Sequence, residues 1–193
     1  MPKRTWPALA LALSLAAAPA LRSATLPRKA PEFAVQMPDG KEVLLSSYKG
    51  KAVVLVFILT TCSHCQTYTR LVAKMQTEFG GRGLQCIESA IDQNAKTQMP
   101  GFIRAFMPPF PVGYNDFDAA RDFLQHAVGA VLPLPAVAFI DRAGMIVAQY
   151  KAGEIFMEVY PEQNLRNTVQ SLLSGEASQK VPPKKAPAAP KKK

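Results

Sequence analysis

The spacing of hydrophobic and polar positions changes several times along the chain, and each change marks an element. Residues 51–59 are nearly all apolar and mostly β-branched (Val53, Val54, Leu55, Val56, Phe57, Ile58), the pattern of a strand buried on both faces. From Ser63 to Phe79 the positions Tyr68, Leu71, Val72, Met75 and Phe79 form one helical stripe, and Gly80-Gly81 supplies a stop. Residues 84–91 read as a second apolar strand, which carries Cys86. A weaker helix follows, with Pro100 near its start, Phe102, Ile103 and Phe106 on one face, and Pro108-Pro109 at its end. Asp116 or Asp118 caps a further helix that runs through Phe123, Leu124 and Ala127.

Shorter signals complete the pattern. Pro38-Asp39-Gly40 is a turn between two extended pieces within residues 35–45. Residues 137–140 are a short apolar strand, Asp141-Arg142-Ala143-Gly144 is a turn, and residues 145–150 return as its hairpin partner. A last helix over residues 162–173 has Pro161 at its start, Leu165, Val169 and Leu172 on one face, and Gly175 behind it. Alternating strands and helices followed by a hairpin and a helix predict an α/β fold, a central mixed β-sheet flanked by helices on both faces.

Composition narrows the function classes. The 193 residues, 48% hydrophobic and 19% charged, suit one globular domain with extensions. The net charge of +9 suggests nucleic acid until its location is considered. From Ala30 to Leu173 twelve Lys and Arg face thirteen Asp and Glu, so the excess lies in the ends, and a nucleic-acid partner is excluded. Lys3 and Arg4, the small apolar stretch from Ala8 to Ala18 and the cleavage pattern Ala18-Pro19-Ala20 make residues 1–24 a signal peptide, with an uncleaved anchor as the alternative. Export implies a periplasmic or other extracytoplasmic, oxidising location. Residues 25–175 form the domain. Residues 176–193, mostly Lys, Pro and Ala with no aromatic residue and no periodicity, read as a disordered Lys/Pro/Ala tail that could make weak contact with an anionic membrane surface.

Cys62-Ser63-His64-Cys65 falls between the strongest strand and the clearest helix. Residues three apart at a helix start share a side and lie close enough for a disulfide. The first meets unpaired amides and the positive end of the dipole, which favour its thiolate. The second lies one turn inside, where it can attack a mixed disulfide formed by the first. Cys62 is thus the candidate nucleophile and Cys65 the candidate resolving thiol. Haem attachment would need His where Gln66 stands, and a structural zinc site would need a second ligand pair. A static disulfide across so short a loop would constrain the unfolded chain little.

Ala30-Pro31-Glu32-Phe33, Asp39-Gly40-Lys41, Leu45, Tyr48-Lys49-Gly50-Lys51, the strand and the CxxC together resemble exported thioredoxin-like proteins of the TlpA/AhpC-TSA type. The stretch Leu134-Pro135-Ala136-Val137-Ala138-Phe139-Ile140-Asp141-Arg142-Ala143-Gly144 resembles that family's proline-strand-IDxxG segment. The resemblance implies a thioredoxin-like fold and a thiol–disulfide oxidoreductase acting on cysteine-containing exported proteins, with a further redox protein as partner. No metal or organic cofactor is needed, since the Cys62–Cys65 dithiol carries two electrons. It also implies a cis bond before Pro135, for which Pro133 competes, and a role for Leu134 in holding an extended substrate segment.

Departures from the family pattern are informative. Thr60-Thr61 replaces the usual Trp before the first cysteine, and Ser63-His64 replaces a pair that usually contains Pro. Cytochrome-maturation reductases carry an acid three positions after the second cysteine, where this chain has Tyr68. Thioredoxin carries one six positions before the first, where this chain has Val56. Each acid would accept a proton from the resolving thiol. Cys-x-His-Cys resembles the disulfide-donating oxidases of the DsbA type, so His64 is a candidate redox-tuning residue together with Ser63. Two rivals remain. One is a peroxiredoxin-type thiol peroxidase, which wants Thr where Leu59 stands. The other is a non-enzymatic metal carrier using Cys62, Cys65 and a histidine.

Overall fold

The computed structural model describes residues 24–176. The signal peptide expected over residues 1–24 and the tail expected over residues 176–193 therefore lie almost entirely outside the described residues. The strands are β1 (Arg28–Lys29), β2 (Ala34–Gln36), β3 (Glu42–Leu44), β4 (Ala52–Ile58), β5 (Leu84–Ala90), β6 (Val112–Tyr114), β7 (Ala136–Ile140) and β8 (Met145–Lys151). The helices are α1 (Ser63–Phe79), α2 (Ala95–Phe106), α3 (Phe117–Leu124), α4 (Ile155–Glu158) and α5 (Pro161–Ser174).

One mixed sheet runs in the order β1-β8-β7-β4-β5-β6-β2-β3. Its centre, β4-β5-β6, is parallel, and β7 joins β4 antiparallel. Every residue of β4 is buried, as its uninterrupted apolar run predicts. Ala52, Val54, Val56 and Ile58 pack beneath α1, α2, α4 and α5, while Val53, Leu55 and Phe57 pack with Phe123 and Leu124 of α3. The sheet is therefore an α/β layer with helices on both faces.

The expected turn within residues 35–45 holds, while other expectations shift. The Pro38-Asp39-Gly40 turn joins β2 to β3, with Gly40 at φ 84°. Pro100 lies inside α2 and not near its start. The helix continues through it because only the bond from its missing N–H is lost, and the carbonyl left over belongs to exposed Lys96. The next helix stops at Leu124, so Ala127 falls outside it; Gln125 turns left-handed at φ 50°. Asp116 occupies its N-cap position without a side-chain bond, and Asp118 pairs with Arg121. Arg28, which precedes the charge-balanced stretch from Ala30, belongs to the fold: it lies on β1 and donates to the Phe123 carbonyl at 2.5 Å.

The short strand β6 gave no sequence signal, yet it carries a positional requirement. A Cβ at Gly113 would lie 2.2 Å from the Gln36 carbonyl oxygen, so only glycine lets β2 pair here.

Candidate active site

β4 ends at Ile58, and the chain then makes a short loop into α1 that carries Cys62. The loop is fixed by side chains remote in sequence. The Thr60 N–H donates to Asp92 Oδ2 at 3.0 Å, and the Thr60 hydroxyl donates to Asp92 Oδ1 at 3.2 Å with the Gln98 side chain beside it. Gln66 Nε2 donates to the Thr60 carbonyl at 2.9 Å, and the Cys62 N–H donates to that of Leu59 at 3.2 Å. Asp92 and Gln98 had no motif to mark them, and only the fold brings them to this loop.

Cys62 is the N-cap of α1, in extended backbone, and its Sγ accepts the Cys65 N–H at 3.3 Å. Cys62 is half-buried and Cys65 is wholly buried, so the two thiols of one turn differ in access to solvent. Burial pushes the Cys65 thiol up, and its interaction with Cys62 adds to that. A pair built this way reacts in order, the accessible sulfur first and the buried one second. All three cysteines are free thiols. Cys86 lies on β5, wholly buried, with its thiol also pushed up by burial.

His64 and Ser63 are exposed at the start of α1. His64 lines a groove of about 190 Å³ with Tyr68, Leu71, Pro135 and Met157. The Leu134–Pro135 peptide is cis, Pro133 not being the cis residue; a second cis bond, Leu26–Pro27, carried no signal in the sequence. The Pro135 carbonyl accepts the Ala152 N–H at 2.9 Å, and Leu134 packs half-buried between the two cores. The structure thus brings His64 and Pro135 to one groove beside the cysteine pair. A cavity of about 360 Å³ around Tyr48, Val53, Ile140 and Arg142 lies at the opposite end of β4.

One acidic residue went unnoticed in the apolar run of residues 84–91. Glu88 is fully buried, pairs in register with Val56 on β4 and with Val112 on β6, and neither of its carboxylate oxygens is hydrogen-bonded among the described residues. Burial raises its pKa to about 8, against the opposing effect of the nearby Thr69 hydroxyl. The Tyr68 hydroxyl is likewise buried without a hydrogen-bond partner among the described residues. Among these residues no three His, Cys, Asp or Glu side chains are grouped to hold a metal ion, and no helix is long and apolar enough to cross a membrane.

Comparison with known proteins agrees with this geometry. The model of the AhpC/TSA family matches residues 26–149. The chain is 26% identical over 124 residues to the thiol-disulfide oxidoreductase ResA of Bacillus thuringiensis subsp. konkukian, covering 64% of this chain and 68% of that protein. It is 29% identical over 118 residues to ResA of Bacillus subtilis, covering 61% and 63%. Among solved structures, a thiol:disulfide interchange protein of the thioredoxin family from Chlorobium tepidum superposes with a TM-score of 0.64 at 21% identity, over 78% of this chain and 99% of that one. One from Bacteroides sp. gives a TM-score of 0.62 at 23% identity, over 80% and 93%. These structures share the thioredoxin-like fold with this chain.

Proposed function

The chain belongs to the AhpC/TSA family, and from that premise we propose that it is a thiol–disulfide oxidoreductase. In this reading Cys62 attacks a disulfide of a cysteine-containing protein. Cys65 then displaces the substrate sulfur, leaving a Cys62–Cys65 disulfide that a second redox protein renews. The dithiol supplies both electrons, so the exchange needs no metal or organic cofactor. The observation that carries the reading is the N-cap arrangement: a half-buried Cys62 sulfur holds the amide of a wholly buried Cys65, three residues on, at 3.3 Å. Pro135 and Leu134, beside the groove that His64 lines, form the surface against which an extended substrate segment would lie.

Export is part of the proposal. Residues 1–24 carry the signal pattern, and an oxidising compartment supplies both protein disulfides and a use for their exchange. The basic tail would add weak contact with an anionic membrane surface.

The test is a trapping experiment on the reduced full-length protein with a disulfide-containing protein substrate. The parent reduces the substrate, Cys65→Ser accumulates a mixed disulfide through Cys62, and Cys62→Ser does neither. A Cys62→Ser variant with parental activity would contradict the reading.

A further inference from the structure

We propose that Glu88 accepts the Cys65 proton in the step that resolves a mixed disulfide, an assignment that rests on thiol exchange at Cys62 and Cys65. The placement comes from strand alternation. Leu84, Cys86, Glu88 and Ala90 point to one face of β5, and Leu84, Cys86 and Ala90 lie in the core that also holds Cys65, Tyr68 and Val72 of α1. β4 on one side and β6 on the other close the sheet around Glu88, which is 0% exposed and has no hydrogen-bond partner among the described residues.

An orphan carboxyl in such a place is costly when charged and contributes no packing that an apolar side chain would not supply. The ionisable groups set against it are Cys65 and Tyr68 from α1 and Cys86 on its own strand, and a negative charge on Glu88 raises the pKa of each. Carboxylate and thiolate therefore exclude one another, and a proton passing between Cys65 and Glu88 adds no net charge to the core. Burial holds the carboxyl near a pKa of about 8, within reach of a base working close to neutrality.

The step balances. A Cys65 thiol, a Cys62–substrate disulfide and a Glu88 carboxylate give a Cys62–Cys65 disulfide, a substrate thiolate and a protonated Glu88. The sulfur–sulfur bond to the substrate breaks, its electron pair leaves on the substrate sulfur, and the dithiol has lost two electrons to the substrate disulfide.

Stopped-flow reaction of the reduced protein with dithiobis(nitrobenzoate) separates the two halves. The first coloured thiolate reports attack by Cys62, and the second reports resolution by Cys65. In the parent protein the second release should quicken as pH rises through about 8. In Glu88→Gln the ratio of second to first release rates should fall roughly 100-fold and that pH limb should vanish, with Glu88→Asp restoring part of both. A parental second release that is flat between about pH 6 and 9, or an unchanged ratio in Glu88→Gln, overturns the assignment while leaving the exchange reading intact. If the variants fail to fold, a flat parental profile still overturns the assignment. Absence of the first release overturns both.

Discussion

The backbone N–H of Cys65 donates to the sulfur of Cys62 at 3.3 Å, so a residue whose own thiol is wholly buried helps hold the more accessible one. The bond closes the first turn of α1 and ties both sulfurs to one geometry. In the proposed exchange, asymmetry of access within that shared geometry sets the order of attack.

Alkylation reads this order directly. Burial pushes the thiols of Cys65 and Cys86 up, and both side chains are closed to solvent. Brief treatment of the reduced protein with iodoacetamide at about pH 6.5 should modify Cys62 well ahead of the other two, as read by peptide mass mapping. Equal labelling of all three would contradict it.

His64 supplies a second test. Its imidazole is exposed, two residues after Cys62 and directly before Cys65. If it stabilises the reduced form, His64→Pro should lower the reduction potential by a few tens of millivolts, where about 30 mV corresponds to about 1.4 kcal/mol. Proline is tolerated in a first helical turn, so the helix should survive. Redox titration beside the parent checks it, and an unchanged or higher potential counts against the tuning role.

The loop ahead of Cys62 depends on one carboxylate. Asp92→Ala leaves the N–H of the 6%-exposed Thr60 without its acceptor and its hydroxyl with the Gln98 side chain alone. A loss of about 1–3 kcal/mol in urea unfolding is expected, together with slower attack by Cys62. A variant of parental stability would show that the bonds to Asp92 do not hold the loop.

Glu88 gives the protein a particular pH dependence. Its pKa is about 8 when folded, against an ordinary 4.5, so the folded state holds the extra proton between these values. Stability from this group is complete below about pH 4.5 and is lost as pH rises through about 8, by up to about 5 kcal/mol. The urea midpoint should fall between about pH 5 and pH 9 in the parent and fall by clearly less in Glu88→Gln, where only the buried thiols of Cys65 and Cys86 still oppose ionisation. A parent as stable at the higher pH would contradict the burial of an unpaired carboxyl.

The strongest hydrophobic periods placed β4, α1, β5, the closing hairpin of β7 and β8, and α5, because each is long enough to bury a face by itself. The CxxC was legible for the same reason: its meaning follows from standing between β4 and α1. The two-residue β1 and three-residue β6 are too short for a period and exist because β8, β5 and β2 offer them edges. Glu88 is a charged residue within the run of residues 84–91 that reads as an apolar strand. Its burial is decided by β4, β6 and α1, none of which its neighbours in the chain announce. The acids missing at positions 56 and 68 have a counterpart contributed by β5, in register with Val56 and set against Tyr68, and no local pattern could reveal that.

The proposed exchange requires that Cys62 and Cys65 form a reversible two-electron couple. Equilibrating the protein in graded glutathione or dithiothreitol buffers and mapping the disulfide by mass tests it most directly. A single transition between dithiol and Cys62–Cys65 disulfide is expected, at a potential between about −270 and −120 mV and absent in Cys62→Ser. A protein that forms no disulfide over that range, or one that pairs through Cys86, would contradict it.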